Sequence, residues 1–146
     1  MAQMHISREG NWGGKMFGSL QEAYDRLRAI VDSSYDGIYI TDGNAVTLWV
    51  NRAYEDITGL RAEEVVGRSM WDLERDGIIS KSGTLLALAQ RAPVTLEQVF
   101  RTGCHALISS TPAFDDRGEI SLVVTNVRDM TELRELYISS GSTIRV

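Results

Sequence analysis

Few side chains in this chain are placed to ligate or attack. Its one cysteine, Cys104, stands beside His105, and the other histidine is His5. Neighbouring side chains on an extended segment point to opposite faces, so Cys104 and His105 are not expected to share an ion. A lone cysteine forms neither an internal disulfide nor a multi-cysteine centre, and no metal site is expected. The carboxylates gather in turns and at helix starts, where solvation and capping account for them. An enzyme needs a base in a low-dielectric cleft or an activated nucleophile. Two histidines in such positions supply neither, so the chain does not read as an enzyme.

Polar residues set among apolar ones point to binding instead. Alternation in "VTLEQVF" puts Val94, Leu96, Gln98 and Phe100 on one strand face and Thr95, Glu97, Val99 and Arg101 on the other. In the last strand Val123, Thr125 and Val127 share a face, which brings Thr125 within reach of Gln98. Ile57, Trp71, Leu85 and Leu88 are expected to close the opposite side of this candidate ligand pocket. The alternative is a tightly packed core in which Gln98 satisfies a backbone group. A void of about 100 Å³ would cost about 2–3 kcal/mol of a typical stability of about 5–15 kcal/mol. The space is therefore either filled by side chains or occupied by a small ligand.

The elements that would position these residues follow from periodicity and punctuation. Residues 1–16 are polar and glycine-rich, a loose tail. Leu20, Tyr24, Leu27 and Val31 form a narrow apolar stripe, widened by Ile30, that predicts an amphipathic helix within 17–34. "GIYIT" and "VTLWV" flank the turn "DGNA" and predict a hairpin. Asn51 is a good N-cap for "RAYEDIT", which Gly59 ends. Two brief helical pieces, "AEEVVG" and "MWDLERDG", precede a helix over "SGTLLALAQR", capped by Ser82 and stopped by Pro93. Strands over "VTLEQVF", "HALISSTPAF" and "ISLVVTNV" finish the domain. Helix, two strands, short helices and three strands imply an α+β fold, a five-stranded, mostly antiparallel sheet with short helices on one face.

These pieces, taken in order from about Leu27 to Leu133, resemble a PAS domain. The matching segments are "DGIYITD", "VNRAYEDITG", "VVGRS", "PAFDDRGEI" and "NVRDMTEL". The stretch from "TLLALAQ" to "DMTEL" looks most like the amino-terminal sensory PAS domains of bacterial activators that work with the nitrogen-type alternative sigma factor. In that family the PAS domain precedes an AAA+ ATPase and a DNA-binding domain. No G-x-x-x-x-G-K-[ST] phosphate loop occurs here, so the resemblance implies an input module with its output elsewhere. Related PAS domains also serve histidine kinases and nucleotide cyclases. Asn51 falls on the family's near-signature asparagine, although N-capping already accounts for it. Haem-binding relatives supply a histidine from the helix matching "SGTLLALAQR", which has none. Photoactive flavin-binding relatives need a "G-x-N-C-R-F-L-Q" cysteine, and the region here is "GRSMWDLERDG". Haem and flavin are thus disfavoured, no cofactor is expected, and any ligand is a small molecule of unknown identity.

The end of the domain carries the mechanistic expectation. Asp129 stands as an N-cap, with Glu132 completing a capping box, immediately after the strand residues Val123, Val124 and Val127. Asp129, Met130 and Thr131, with Asn51, are the residues expected to transmit a signal, and 130–146 reads as the start of a signalling helix that Met130, Leu133 and Tyr137 would pair. The core spans 35–129. Leu122 and Val124 give the last strand a second apolar face, for which the stripe of Leu20, Tyr24, Leu27 and Val31, from the same chain or a homodimer partner, is the expected cover. A filled-core dimerisation or docking module is the rival reading. A net charge of −5 without a basic cluster argues against nucleic acid or acidic lipid as partners. With no apolar run of about 20 residues and no signal-peptide pattern, a cytoplasmic location is expected.

Overall fold

A computed structural model describes residues 18–130. Helix α1, Leu20–Asp32, starts where Ser19 Oγ accepts a hydrogen bond from the Glu22 amide, and none of its residues is buried. Strands β1, Gly37–Asp42, and β2, Thr47–Val50, form the expected hairpin. Asp42 holds the turn by accepting from the Asn44 and Val46 amides at 2.9 and 3.0 Å, while Ala45 takes a left-handed φ of 64°.

Four short helices follow: α2, Arg52–Thr58; α3, Ala62–Val65; α4, Met70–Arg75; and α5, Gly83–Gln90. Asn51, Ser69 and Ser82 cap α2, α4 and α5 through their side chains, and Gly59 ends α2 in the left-handed conformation it was expected to supply. α5 ends one step before its expected stop, because Arg91, with φ 54°, turns the chain ahead of Pro93. Strands β3, Val94–Val99, β4, His105–Phe114, and β5, Ile120–Asp129, complete the sheet.

The five strands are antiparallel in the order β2-β1-β5-β4-β3, so the last strand in sequence is the middle one in space. Both flanks of β5 are hydrogen-bonded, to β1 and to β4, and its ladder with β4 reaches Asp129 opposite Ala106. On the inner face Tyr39, Ile108 and Val127 meet Tyr54, Leu60, Val65, Met70 and Leu73 from the α2–α5 region. This is the expected α+β arrangement with short helices gathered on one face. No helix among the described residues is long and apolar enough to cross a membrane.

Candidate functional site

Alternation along β3 and β5 works as the sequence implies: Gln98, Val123, Thr125 and Val127 are all buried on the inner face. Gln98 donates from Nε2 to the Lys81 carbonyl at 2.7 Å, satisfying a backbone group at the approach to α5. Thr125 pairs with the Ser110 hydroxyl at 2.6 Å across β4–β5, so its polar partner is Ser110. Between these strands and α5 lies a cavity of about 10 Å³, room for about one water molecule.

Of the ten residues expected to form the pocket, Gln98, Thr125 and Val127 line this cavity. Ile57, Leu85, Leu88 and Leu96 pack, partly buried, against the core around it, and Phe100 and Val123 are buried beyond its walls. Phe100 meets Tyr54 edge-on at 6.1 Å. Trp71 corrects the expectation outright, being 64% exposed. α4 turns Met70 and Leu73 inward, and Trp71 is one residue, about 100° of helical rotation, off that face. The sequence reading missed Tyr39, Tyr54, Met70, Ile79, Gly83, Thr84 and Ile108 as lining. Tyr39 had a signal available, since it alternates with Gly37 and Thr41 on the buried face of β1.

The inner walls are bulky and uncharged. The Tyr39 hydroxyl hydrogen-bonds the Thr47 hydroxyl and lies 2.9 Å from Met70 Sδ, and its ring is 5.2 Å from that of Tyr54. Burial pushes both phenols above their ordinary range, because the phenolate would lose its hydration. Cys104, just before β4, is also pushed up, first by burial and then by the Asp129 carboxylate, which makes it a poor nucleophile. His105 pairs with Glu97 at 3.0 Å on the neighbouring strand, and no metal-holding cluster of His, Cys, Asp or Glu occurs among the described residues.

Asn51 lies elsewhere, at a junction of elements. It is 1% exposed. Its Nδ2 donates to the Val31 and Asp36 carbonyls at 2.8 and 3.2 Å, while its Oδ1 accepts from the Ile38 and Tyr54 amides at 2.8 and 2.9 Å. One side chain thus ties the end of α1 to β1 and α2. Arg128, next to last in β5, reaches Asp36 at 3.2 Å and links the same junction to the end of the middle strand. Met130 is helical directly after β5, whereas Thr131, Glu132, Leu133 and Tyr137 lie outside the described residues.

The residues expected at a dimer contact are exposed or half-buried. Leu20, Tyr24 and Leu27 are 92%, 55% and 46% exposed, Leu122 is 36% exposed, and Val31 and Val124 are half-buried. α1 does not close over the sheet as a cover would. Instead Tyr24, Leu27 and Val31 face Ile40, Leu48 and Leu122 across an open groove of about 530 Å³.

A family model described as PAS fold matches residues 31–135. The chain belongs to the PAS fold family. Among solved structures it is similar to the PAS domain of an HTR-like protein from Haloarcula marismortui, at 21% identity and a TM-score of 0.55 over 86% of this chain and 99% of that one. It is also similar to the PAS domain of BvgS from Bordetella pertussis, at 22% identity and a TM-score of 0.52 over 82% of this chain and 99% of that one. An RNA-binding light-oxygen-voltage receptor shares the fold at 19% identity and a TM-score of 0.61, over 84% of this chain and 39% of that one. A curated relative, the methanogenesis regulatory histidine kinase FilI of Methanothrix harundinacea, is 27% identical over 121 residues, or 75% of this chain. That match spans 13% of the kinase's own length. The PAS membership fits a sensory domain in signal transduction.

Proposed function

We propose that this PAS domain is a cytoplasmic, non-enzymatic input module that works as a homodimer, with β5 passing a change at the dimer contact into the segment beyond Met130. The observation that carries the reading is the pair of uncovered apolar surfaces. Tyr24, Leu27 and Val31 of the α1 stripe stand beside Ile40, Leu48 and Leu122 on the outer sheet, and Leu20 and Ile30 of the same helix are exposed. A second copy suits them because a two-fold axis lets one protomer's stripe cover the other's sheet face twice over. Each Leu buried there contributes about 1.5–3 kcal/mol, so a handful supports association in the micromolar range. Between a ligand-filled and a side-chain-filled core, a cavity of about 10 Å³ supports the second, and input arrives by contact with a partner.

Sedimentation of the purified protein tests this. The expected result is a dimer that Leu27→Glu converts to a folded monomer; a wild-type monomer at tens of micromolar would refute the reading. Signal transmission is separate from association. Asp129→Ala in a full-length protein is expected to uncouple output, whereas normal regulation would leave a pure dimerisation module. Reversing a 1:99 population needs about 5.5 kcal/mol of differential binding, so a weak input tunes output without switching it fully. For the output domain, the motifs from "TLLALAQ" to "DMTEL" favour an AAA+ activator with a DNA-binding domain. The likeness to a histidine kinase favours a kinase. Reading the coding sequence on either side of this segment distinguishes the two.

A further inference from the structure

We propose that the cavity between α5, β3 and β5 is a binding site for one internal water molecule, anchored by the hydroxyl of Thr84. Thr84 is 1% exposed, and its Oγ1 has no hydrogen-bond partner among the described residues. A threonine inside a helix usually returns its hydroxyl to the carbonyl three or four residues back. Thr84 is the second residue of α5, so those positions, Lys81 and Ser80, precede the helix, and the Lys81 carbonyl already accepts from Gln98. Thr84 lines the cavity together with Gln98 and Thr125. A buried water needs two to four polar partners and about 10–15 Å³ of room, and this site offers hydroxyls, a carboxamide and about 10 Å³.

The chemistry of the site is that of a neutral ligand. None of the residues lining it is Asp, Glu, Lys, Arg or His, so no ion is compensated there. Its size is limited by Gly83, which brings the start of α5 close to β4. A Cβ at that position would stand 2.5 Å from Ser110 Oγ and 2.8 Å from Ile108 Cδ1. The water joins a helix to the middle strand, since Thr125 belongs to β5 and already bonds Ser110.

The test is a high-resolution crystal structure of the whole chain, with water-to-protein cross-relaxation in solution, for the wild type and for Thr84→Ser and Thr84→Val. The expected result is one ordered solvent within about 3.2 Å of Thr84 Oγ1. Thr84→Ser keeps it, and Thr84→Val loses it and lowers Tm by a few degrees. Valine matches threonine in shape, so if the hydroxyl were simply buried without a partner, Thr84→Val would raise Tm. A raised Tm, absent solvent in the wild type, or a larger molecule in the cavity would each overturn the assignment. None of these readouts depends on whether the protein dimerises.

Discussion

Asn51 shows how much one buried polar side chain can hold. It makes four hydrogen bonds to backbone groups from four places in the chain, which is the full capacity of a carboxamide. Alanine there would take that partner from the Ile38 and Tyr54 amides and the Asp36 carbonyl, while the Val31 carbonyl keeps a backbone amide, so Asn51→Ala is expected to cost about 2–4 kcal/mol, measured by urea denaturation. Its N-cap role was legible from sequence because capping reads only a few neighbouring residues. Its reach to Val31 and Asp36 was not, since the path of the chain sets it. The two buried phenols give a pH prediction. Tyr39 and Tyr54 have folded pKa values raised above the ordinary value near 10, so the folded state keeps protons that the unfolded chain releases. Their contribution is fully present below about pH 10 and falls above it by up to about 1.4 kcal/mol per pH unit for each tyrosine. Tyr39→Phe is expected to make alkaline unfolding shallower, as followed by circular dichroism between pH 9 and 12.

At the scale of elements, α5 and α1 behave in opposite ways. α5 is held from its first residue, where Gly83 lets the backbone approach Ser110 and Ile108. Gly83→Ala is expected to push helix and sheet apart and cost about 1–3 kcal/mol, although alanine is the better helix former. A gain in stability in thermal melts would show that the side chains yield more easily than this packing implies. α1 has 13 residues, none of them buried, and isolated helices of that length are marginal in water. If a second protomer supplies its packing, its amide hydrogens are expected to exchange fast in dilute solution and to gain protection with concentration. Protection independent of concentration would instead place the cover within the chain. The stripe itself was legible as helical periodicity. Which surface it meets was left open, because a stripe carries no address.

For the whole molecule, the strand order decides how a signal could travel. β5 is last in sequence and central in space, so a shift in it is felt by β1 and β4 at once. The same sheet, closed by Tyr39, Tyr54, Met70 and Ile108, leaves about 10 Å³ inside, far below the several hundred cubic ångströms of an ordinary cofactor pocket. The purified protein is therefore expected to be colourless, and added flavin mononucleotide or haem to leave its melting temperature unchanged; a visible absorption band would require the core to open. Sequence alone determined the elements from α1 to β5, the caps Asn51, Gly59 and Ser82 and the inward faces of β3 and β5, because helix periodicity, turn chemistry and strand alternation are local properties, while the Ser19 and Ser69 caps came only with the structure. It also placed the chain's resemblance correctly at the level of the PAS family. Only the tertiary structure decided that Trp71 faces outward, that Ser110 and Thr125 pair, and that Thr84 is left facing a cavity. Those outcomes depend on how far each helix is rotated and how closely it approaches the sheet, and packing between distant segments sets both.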